Sequence, residues 1–199
     1  MQLADYPTVP PDFGNWLAGF IDGEGCFSMN RLRRKGVDYR SYACRFAIRL
    51  RHDDVPVLEE IQRRTGCGKI NELRPTSPTI WWDSKPYATW QVFSKRDCLR
   101  MIEILDKYPL RAKKARDYLV WREAALLWAS VRQTGSHSER NQSIWDQMEA
   151  LKEQLTAVRA YVAPGEVGEV DPVPGAEDLV NGEGVAPAQM SLVPFGEAE

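Results

Sequence analysis

Leu17-Ala18-Gly19-Phe20-Ile21-Asp22-Gly23-Glu24-Gly25 sets two glycines four residues apart in a stretch whose other early positions are bulky and apolar. Four residues is about one helical turn, so Gly19 and Gly23 share a face. Glycine inside a helix costs about 1 kcal/mol relative to alanine, and a pair of them asks for a compensating reason. Close approach of a second helix supplies one, because missing side chains let two backbones come nearly into contact. Glu24 then falls at the helix C-terminus, where the macrodipole disfavours an anion by about 0.3–1 kcal/mol. A carboxylate at that end is better explained by a cation. The competing account is an ordinary core helix capped by Gly25.

Reading outward, Asn15 to Asp22 is predicted as the helix, with Trp16, Leu17, Phe20 and Ile21 on neighbouring faces, running into the breaker Gly23-Glu24-Gly25. The period then changes. Cys26 to Arg33 and Tyr39 to Arg51 read as antiparallel strands joined around Lys35-Gly36. The second alternates Tyr42, Cys44, Phe46, Ile48 and Leu50 against Ser41, Ala43, Arg45, Ala47, Arg49 and Arg51, one face core and the other basic. Asp53 or Asp54 can cap a helix through Val57, Leu58 and Ile61 to a stop at Gly66. The pattern repeats in kind, with strands near Lys69 to Arg74 and Thr89 to Phe93. A helix follows from about Lys95, with Leu99, Ile102 and Leu105 on one side, ending before Pro109. Amphipathic helices are expected over about Ala112 to Ser130 and Ser143 to Tyr161, the latter with Trp145, Met148, Leu151 and Leu155 at helical spacing.

The 199 residues include 26 Lys or Arg and 28 Asp or Glu, a balance of −2 that hides a division. Residues 163–199 hold eight acids and no Lys or Arg, together with five Pro and six Gly, and read as a disordered acidic tail. Residues 1–162 carry 26 basic and 20 acidic groups, or +6, as expected of a polyanion-binding domain. No apolar run approaches the ~18 residues of a membrane span, so a membrane partner is not expected. Cys26, Cys44, Cys67 and Cys98 show no zinc spacing and read as reduced, mostly buried thiols. That usage points to an intracellular, reducing compartment: the cytoplasm, or an organelle if a mobile intron encodes the chain. His52 and His137 are solitary and receive no role, and Trp90 is expected in the core, with Trp81 and Trp82 packing there or in a loop.

The nine-residue stretch closely resembles the LAGLIDADG motif of homing endonucleases, with Phe20, Gly23 and Glu24 in place of Leu, Ala and the last Asp. The resemblance continues through the two hairpin-plus-helix units to Pro109-Leu110-Arg111-Ala112-Lys113-Lys114-Ala115-Arg116, covering roughly residues 14–130. It implies an α+β, mixed αββαββα fold with a saddle-shaped antiparallel sheet, here with an extra C-terminal helix. The expected organisation is a leader over 1–13, the endonuclease domain over 14–130, a helical segment over 131–162 and the tail. In the family the motif helices pack against each other, and the final acid of each binds Mg²⁺ at the scissile phosphates. Carried to this chain, that gives Glu24 a catalytic and metal-ligand role with the carbonyl of Gly23 beside it, and gives helix packing to Gly19 and Gly23. Two or more Mg²⁺ per dimer are implied, and since one copy of the motif is found, the second acid has to come from a second chain.

Lys113 aligns with a basic residue that the family places near the cleavage site, where an ammonium stabilises phosphorane charge or polarises the attacking water. Arg111, Lys114 and Arg116 are also basic, and all four could instead line a solvated helix start or contact phosphate. The polar residue that family members carry near the end of the second strand to position water falls here on Leu50. The outward strand residues Ser28, Asn30, Arg45, Ala47, Arg49, Asn71, Thr89 and Gln91 form the expected DNA-facing surface, since a two-stranded ribbon fits the major groove. Exposed Arg and Asn are also ordinary solubilising choices. Arg31, Arg33, Arg34, Lys35 and Arg40 on and around the first turn are assigned to phosphate, with Arg111 and Lys114 as further DNA contacts. The resulting expectation is a homodimeric, Mg²⁺-dependent, site-specific endonuclease of a mobile element, cutting both strands of a near-palindromic target. The alternative is a cleavage-inactive nucleic-acid binder on the same fold, such as an intron maturase or a transcription regulator.

Overall fold

Pro11 opens the first helix, α1 (Pro11–Glu24), where its lost N–H is one the first turn leaves unpaired anyway. The computed structural model describes residues 6–32, 41–73, 86–131 and 139–160, all within the compact unit Met1–Ala160. α1 runs through Gly23 and Glu24, two residues beyond the predicted end at Asp22. The Gly25 N–H donates to the Ile21 carbonyl, so the helix closes at Gly25, whose own backbone is extended at φ −70° and ψ 146°. The chain therefore enters β1 (Gly25–Leu32) with no intervening loop. A Cβ on Gly25 would lie 2.6 Å from the Ile21 carbonyl oxygen, so crowding at this junction requires glycine.

β1 pairs antiparallel with β2 (Ser41–Arg51), Phe27 opposite Phe46 and Ser28 opposite Arg45. The alternation read in β2 holds: Tyr42, Cys44, Phe46 and Ile48 are buried, Leu50 half-buried, and Arg45 and Arg49 exposed. A 3-10 turn, His52–Asp54, leads into α2 (Val55–Thr65), which stops at Gly66 with φ +72° as expected of a glycine after a helix. Neither aspartate caps α2 through its side chain. Asp54 sits at φ −97° and ψ 11°, outside the extended region that aims a capping carboxylate at the helix N–H groups, and Asp53 instead pairs with Arg51 at 2.9 Å. Next come β3 (Lys69–Leu73) and β4 (Tyr87–Val92), then α3 (Lys95–Lys107), whose Ser94 hydroxyl accepts the Asp97 N–H at 3.0 Å. α4 (Lys114–Ser130) and α5 (Glu139–Ala157) complete the order. The sheet is antiparallel throughout, in the order β1-β2-β4-β3. This is the expected αββαββα arrangement, continued by further helices.

Each described α-helix packs against sheet strands, α4 on β1 and β2, α5 on α4 and β2. The buried apolar side chains of β1 and β2 share one side. Phe27 lies 4.8 Å from Phe46 and 5.2 Å from Trp121, and Trp90 meets Phe46 edge-on at 5.8 Å. Trp90 is in the core as expected, its indole N–H donating to the Cys67 carbonyl at 3.0 Å. Burial pushes the Cys44 and Cys67 thiols up to about 12 and raises Cys98 as well, so three of the four cysteines are inert packing residues, while Cys26 is exposed. Trp145, Met148, Leu151 and Leu155 are buried along one side of α5, matching the spacing read in the sequence. The Lys35-Gly36 turn, Arg33, Arg34, Arg40, Trp81, Trp82, His137 and residues 163–199 lie outside the described residues. No described helix is long and apolar enough to cross a membrane.

Residues ahead of the predicted helix also pack. Val9 and Phe13 are buried, and the Tyr108 hydroxyl donates to the Val9 carbonyl at 2.9 Å with its ring lying over Gly14. A Cβ on Gly14 would overlap that ring. Gly14→Ala is expected to lower stability by about 1–3 kcal/mol through overpacking, read as a lower urea midpoint at unchanged slope.

Candidate nucleic-acid interface and catalytic site

The two faces of α1 differ sharply. Leu17, Ala18 and Ile21 are buried against the sheet side, whereas Asp12, Asn15, Gly19 and Gly23 are exposed and Trp16 is 44% exposed. Trp16 stacks on half-buried Phe20 with ring centroids 5.1 Å apart, and a Cβ added at Gly19 or Gly23 meets nothing within 4 Å. The close approach that these glycines permit is thus not used among the described residues. Gly14 is the glycine of α1 that a neighbouring ring covers, and no periodicity argument singled it out.

Glu24 ends this open face. Its carboxylate is exposed and makes no hydrogen bond or ion pair among the described residues. Gly23 lies in the last turn, where carbonyls lack helical partners. Asp22, two residues earlier, is engaged: its Oδ2 accepts the N–H groups of Arg111 at 2.8 Å and Ala112 at 3.1 Å, and Oδ1 is buried without a partner. Asp22 therefore ties the basic segment before α4 to the motif helix across about ninety residues of sequence. It was not among the residues singled out from the sequence. The dipole argument that flagged Glu24 applies equally to an acid in the same last turn.

Of Arg111, Lys113, Lys114 and Arg116, only Lys113 has its side-chain head hydrogen-bonded among the described residues. Its Nζ donates to the carbonyls of Arg159 at 3.2 Å and Ala160 at 3.4 Å. Lys114 opens α4 half-buried, and Arg111 and Arg116 are exposed.

The strand registers align the polar residues in rows on the side away from the helices. Ser28 faces Arg45; Cys26, Ala47, Gln91 and Lys69 form one row; Arg49, Thr89 and Asn71 form another. Asn30 stands beside Ala43 farther along β1. Thr89 departs from expectation: it lies in this surface but is only 4% exposed. It is a short side chain between Arg49 and Asn71, and the Arg49 guanidinium lies 4.5 Å from the neighbouring Tyr87 ring. Lys69, whose ammonium lies 5.8 Å from the Phe93 ring, joins the surface and was missed. Its parity with Asn71 was the available signal. Arg31 is exposed but shares the parity of core-facing Met29, so it stands at the rim of β1 outside these rows. Leu50 is half-buried on the helix side, opposite Ala88, and offers no polar atom to the face carrying Arg49 and Arg51. His52 binds Glu72 at 2.8 Å, away from these groups.

Residues 17–125, more than half of the chain, match the LAGLIDADG endonuclease family. The chain belongs to that family. Among curated relatives, the "Probable intron-encoded endonuclease Cox1-I1b" of Schizosaccharomyces pombe is 27% identical over 115 residues, 58% of this chain. The chain spans about a quarter of that relative's length, 27%. Among solved structures, the LAGLIDADG meganuclease I-AabMI bound to uncleaved DNA is 24% identical with a TM-score of 0.55, covering 72% of this chain and 44% of that one. I-SmaMI bound to an uncleaved DNA target in the presence of calcium ions is 21% identical with a TM-score of 0.58, covering 76% and 47%. The homing endonuclease I-TnaI is 22% identical with a TM-score of 0.52, covering 73% of this chain and 97% of that one. These likenesses establish the LAGLIDADG fold.

Within that fold the motif's two acids differ. Asp22 is bound by its own chain, whereas Glu24 makes no hydrogen bond or ion pair among the described residues. Replacing Asp22 by Ala is expected to lower stability by about 1–2 kcal/mol by releasing two N–H groups from a charged acceptor. Asp22→Asn, which keeps a side-chain oxygen in place, should recover most of that loss in the same urea titration.

Proposed function

We propose that this LAGLIDADG chain is a site-specific double-strand DNA endonuclease that acts as a homodimer, hydrolysing phosphodiester bonds with a divalent metal. The observation that carries the reading is the open face of α1, where two glycines without neighbours lead to an acid without a partner among the described residues. A second copy packed on this face would bring backbones together at Gly19 and Gly23 and place two Glu24 carboxylates at one end of the crossing.

The donor set suits a hard cation. Glu24 and the Gly23 carbonyl offer oxygen ligands only, and among the described residues no group of three His, Cys, Asp or Glu stands ready within one chain. Held between two chains, Mg²⁺ would supply an activated water and stabilise the leaving oxygen. Lys113 adds a positive charge near developing phosphorane charge. The polar rows of the sheet, with Arg45, Arg49, Lys69, Asn71 and Gln91, offer donors and acceptors for base edges, while Arg31, Arg111 and Lys114 suit phosphate. Two-fold symmetry in the protein would be mirrored by a near-palindromic target. A reducing intracellular compartment suits the free thiols.

The direct test incubates the protein with a randomised duplex library and Mg²⁺, then sequences the cut ends. Recurrent, inversely repeated half-sites are expected; an uncut library would reverse the reading.

Glu24→Gln is expected to abolish cutting while specific binding to the recovered duplex stays within a few-fold, because a metal ligand is lost but the sheet surface is not. Cleavage at the parent rate would remove Glu24 from the metal site. Because Gly19 faces open space within the chain, Gly19→Leu should leave the circular dichroism of the fold intact. It should break the dimer by overpacking that costs about 1–3 kcal/mol per chain. Sedimentation and cleavage should fail together, and a variant that remains dimeric and active would place the interface elsewhere.

A further inference from the structure

The chain returns to the start of α4 in its last described turn. After α5 ends at Ala157, the N–H groups of Arg159 and Ala160 donate to the carbonyls of Thr156 and Ala157 at 3.3 and 3.0 Å, a tightened turn. The carbonyls of Arg159 and Ala160 are the two that accept from Lys113 Nζ. The Arg159 side chain makes two further bonds. Its Nε–H donates to Asp117 Oδ2 at 2.9 Å, and its Nη2–H donates to the Phe27 carbonyl. Asp117 is 5% exposed in the first turn of α4, and Phe27 lies three residues past Glu24 on the edge strand of the sheet.

One residue thus joins the strand that leaves Glu24, the helix that begins beside Lys113, and the carbonyl that holds the Lys113 ammonium. A lysine side chain is a point charge on a flexible stem, and its position costs rotamer entropy unless something holds it. Two neutral carbonyls hold it without cancelling its charge. They occupy two of its three N–H donors, leaving the third for phosphate or water. Trp145, Met148, Leu151 and Leu155 are buried along α5, and Arg159 adds polar contacts beyond its end.

We infer that Arg159 is a positioning residue for cleavage, acting through Lys113: it anchors the turn after α5 to Asp117 and Phe27 so that the turn's carbonyls aim the Lys113 ammonium. This rests on the endonuclease reading above.

The test uses the full chain, the duplex recovered from the randomised library, and single-turnover cleavage with protein in excess. Arg159→Met is expected to slow the cleavage step about 10- to 100-fold, the range for misplacing a reacting group by about an ångström. Duplex affinity measured without divalent metal should change less than about threefold, since no sheet contact is lost, in line with a loss confined to the transition state. In a Lys113→Ala background, Arg159→Met should cause no further loss, because residues that act through one another are not additive. If the methionine variant fails to fold, Arg159→Gln, which cannot bridge both acceptors, carries the same expectation. A folded variant that cleaves at the parent rate overturns the inference, as does a loss that adds fully to that of Lys113→Ala. Faster cleavage also overturns it and would make the turn a shield over Lys113. A parent chain that cuts no duplex overturns the endonuclease reading and this inference together; a parent chain that cuts while the variants match it overturns this inference alone.

Discussion

The rest of the architecture depends on the absence of any residue between α1 and β1. The Gly25 N–H closes the helix on Ile21 while its own backbone is already extended, and no side chain fits against the Ile21 carbonyl. As a result the helix axis, the strand direction and the position of Glu24 are set by one junction. An intervening loop would let the acid drift relative to the polar rows of the sheet. Without one, Glu24 immediately precedes the strand in which Ser28 stands opposite Arg45.

The end of α1 is electrostatically awkward, since two carboxylates sit where the helix dipole is negative. Asp22 is compensated inside the chain by the N–H groups of Arg111 and Ala112, which lead into α4. Glu24 has no such compensation among the described residues. The difference sorts two neighbouring acids into one that ties the domain together and one that stays exposed. The same logic holds for the basic segment: Lys113 is held by the chain's own carbonyls, while Arg111 and Arg116 point into solvent.

Much of the fold was legible because its signals are local. The alternation of Tyr42, Cys44, Phe46 and Ile48 sets the faces of β2, since side chains on a strand alternate by geometry alone. Gly66 after an apolar-periodic helix marks an end that the structure keeps, whereas the Ser94 cap of α3 came only with the structure. Thr89 shows the limit of the same reasoning. Alternation placed it on the right face, but its burial comes from Arg49 and Asn71 across two strand pairings, which no single strand encodes. Gly14 is similar, because its need for a bare backbone comes from Tyr108, ninety-four residues away.

By itself the sequence determined the family, through nine contiguous residues. It also determined the element order and the two-faced character of the strands, because helical and strand periods and glycine placement are properties of neighbouring residues. Tertiary structure decided which glycine packs within the chain and which stay open, that Asp22 rather than Glu24 is spent internally, and that Arg159 reaches both Asp117 and Phe27. The physical reason is range. A hydrogen bond or steric contact acts over a few ångströms in space, and the residues it joins here lie about forty to one hundred and thirty positions apart along the chain, where only the folded core brings them together.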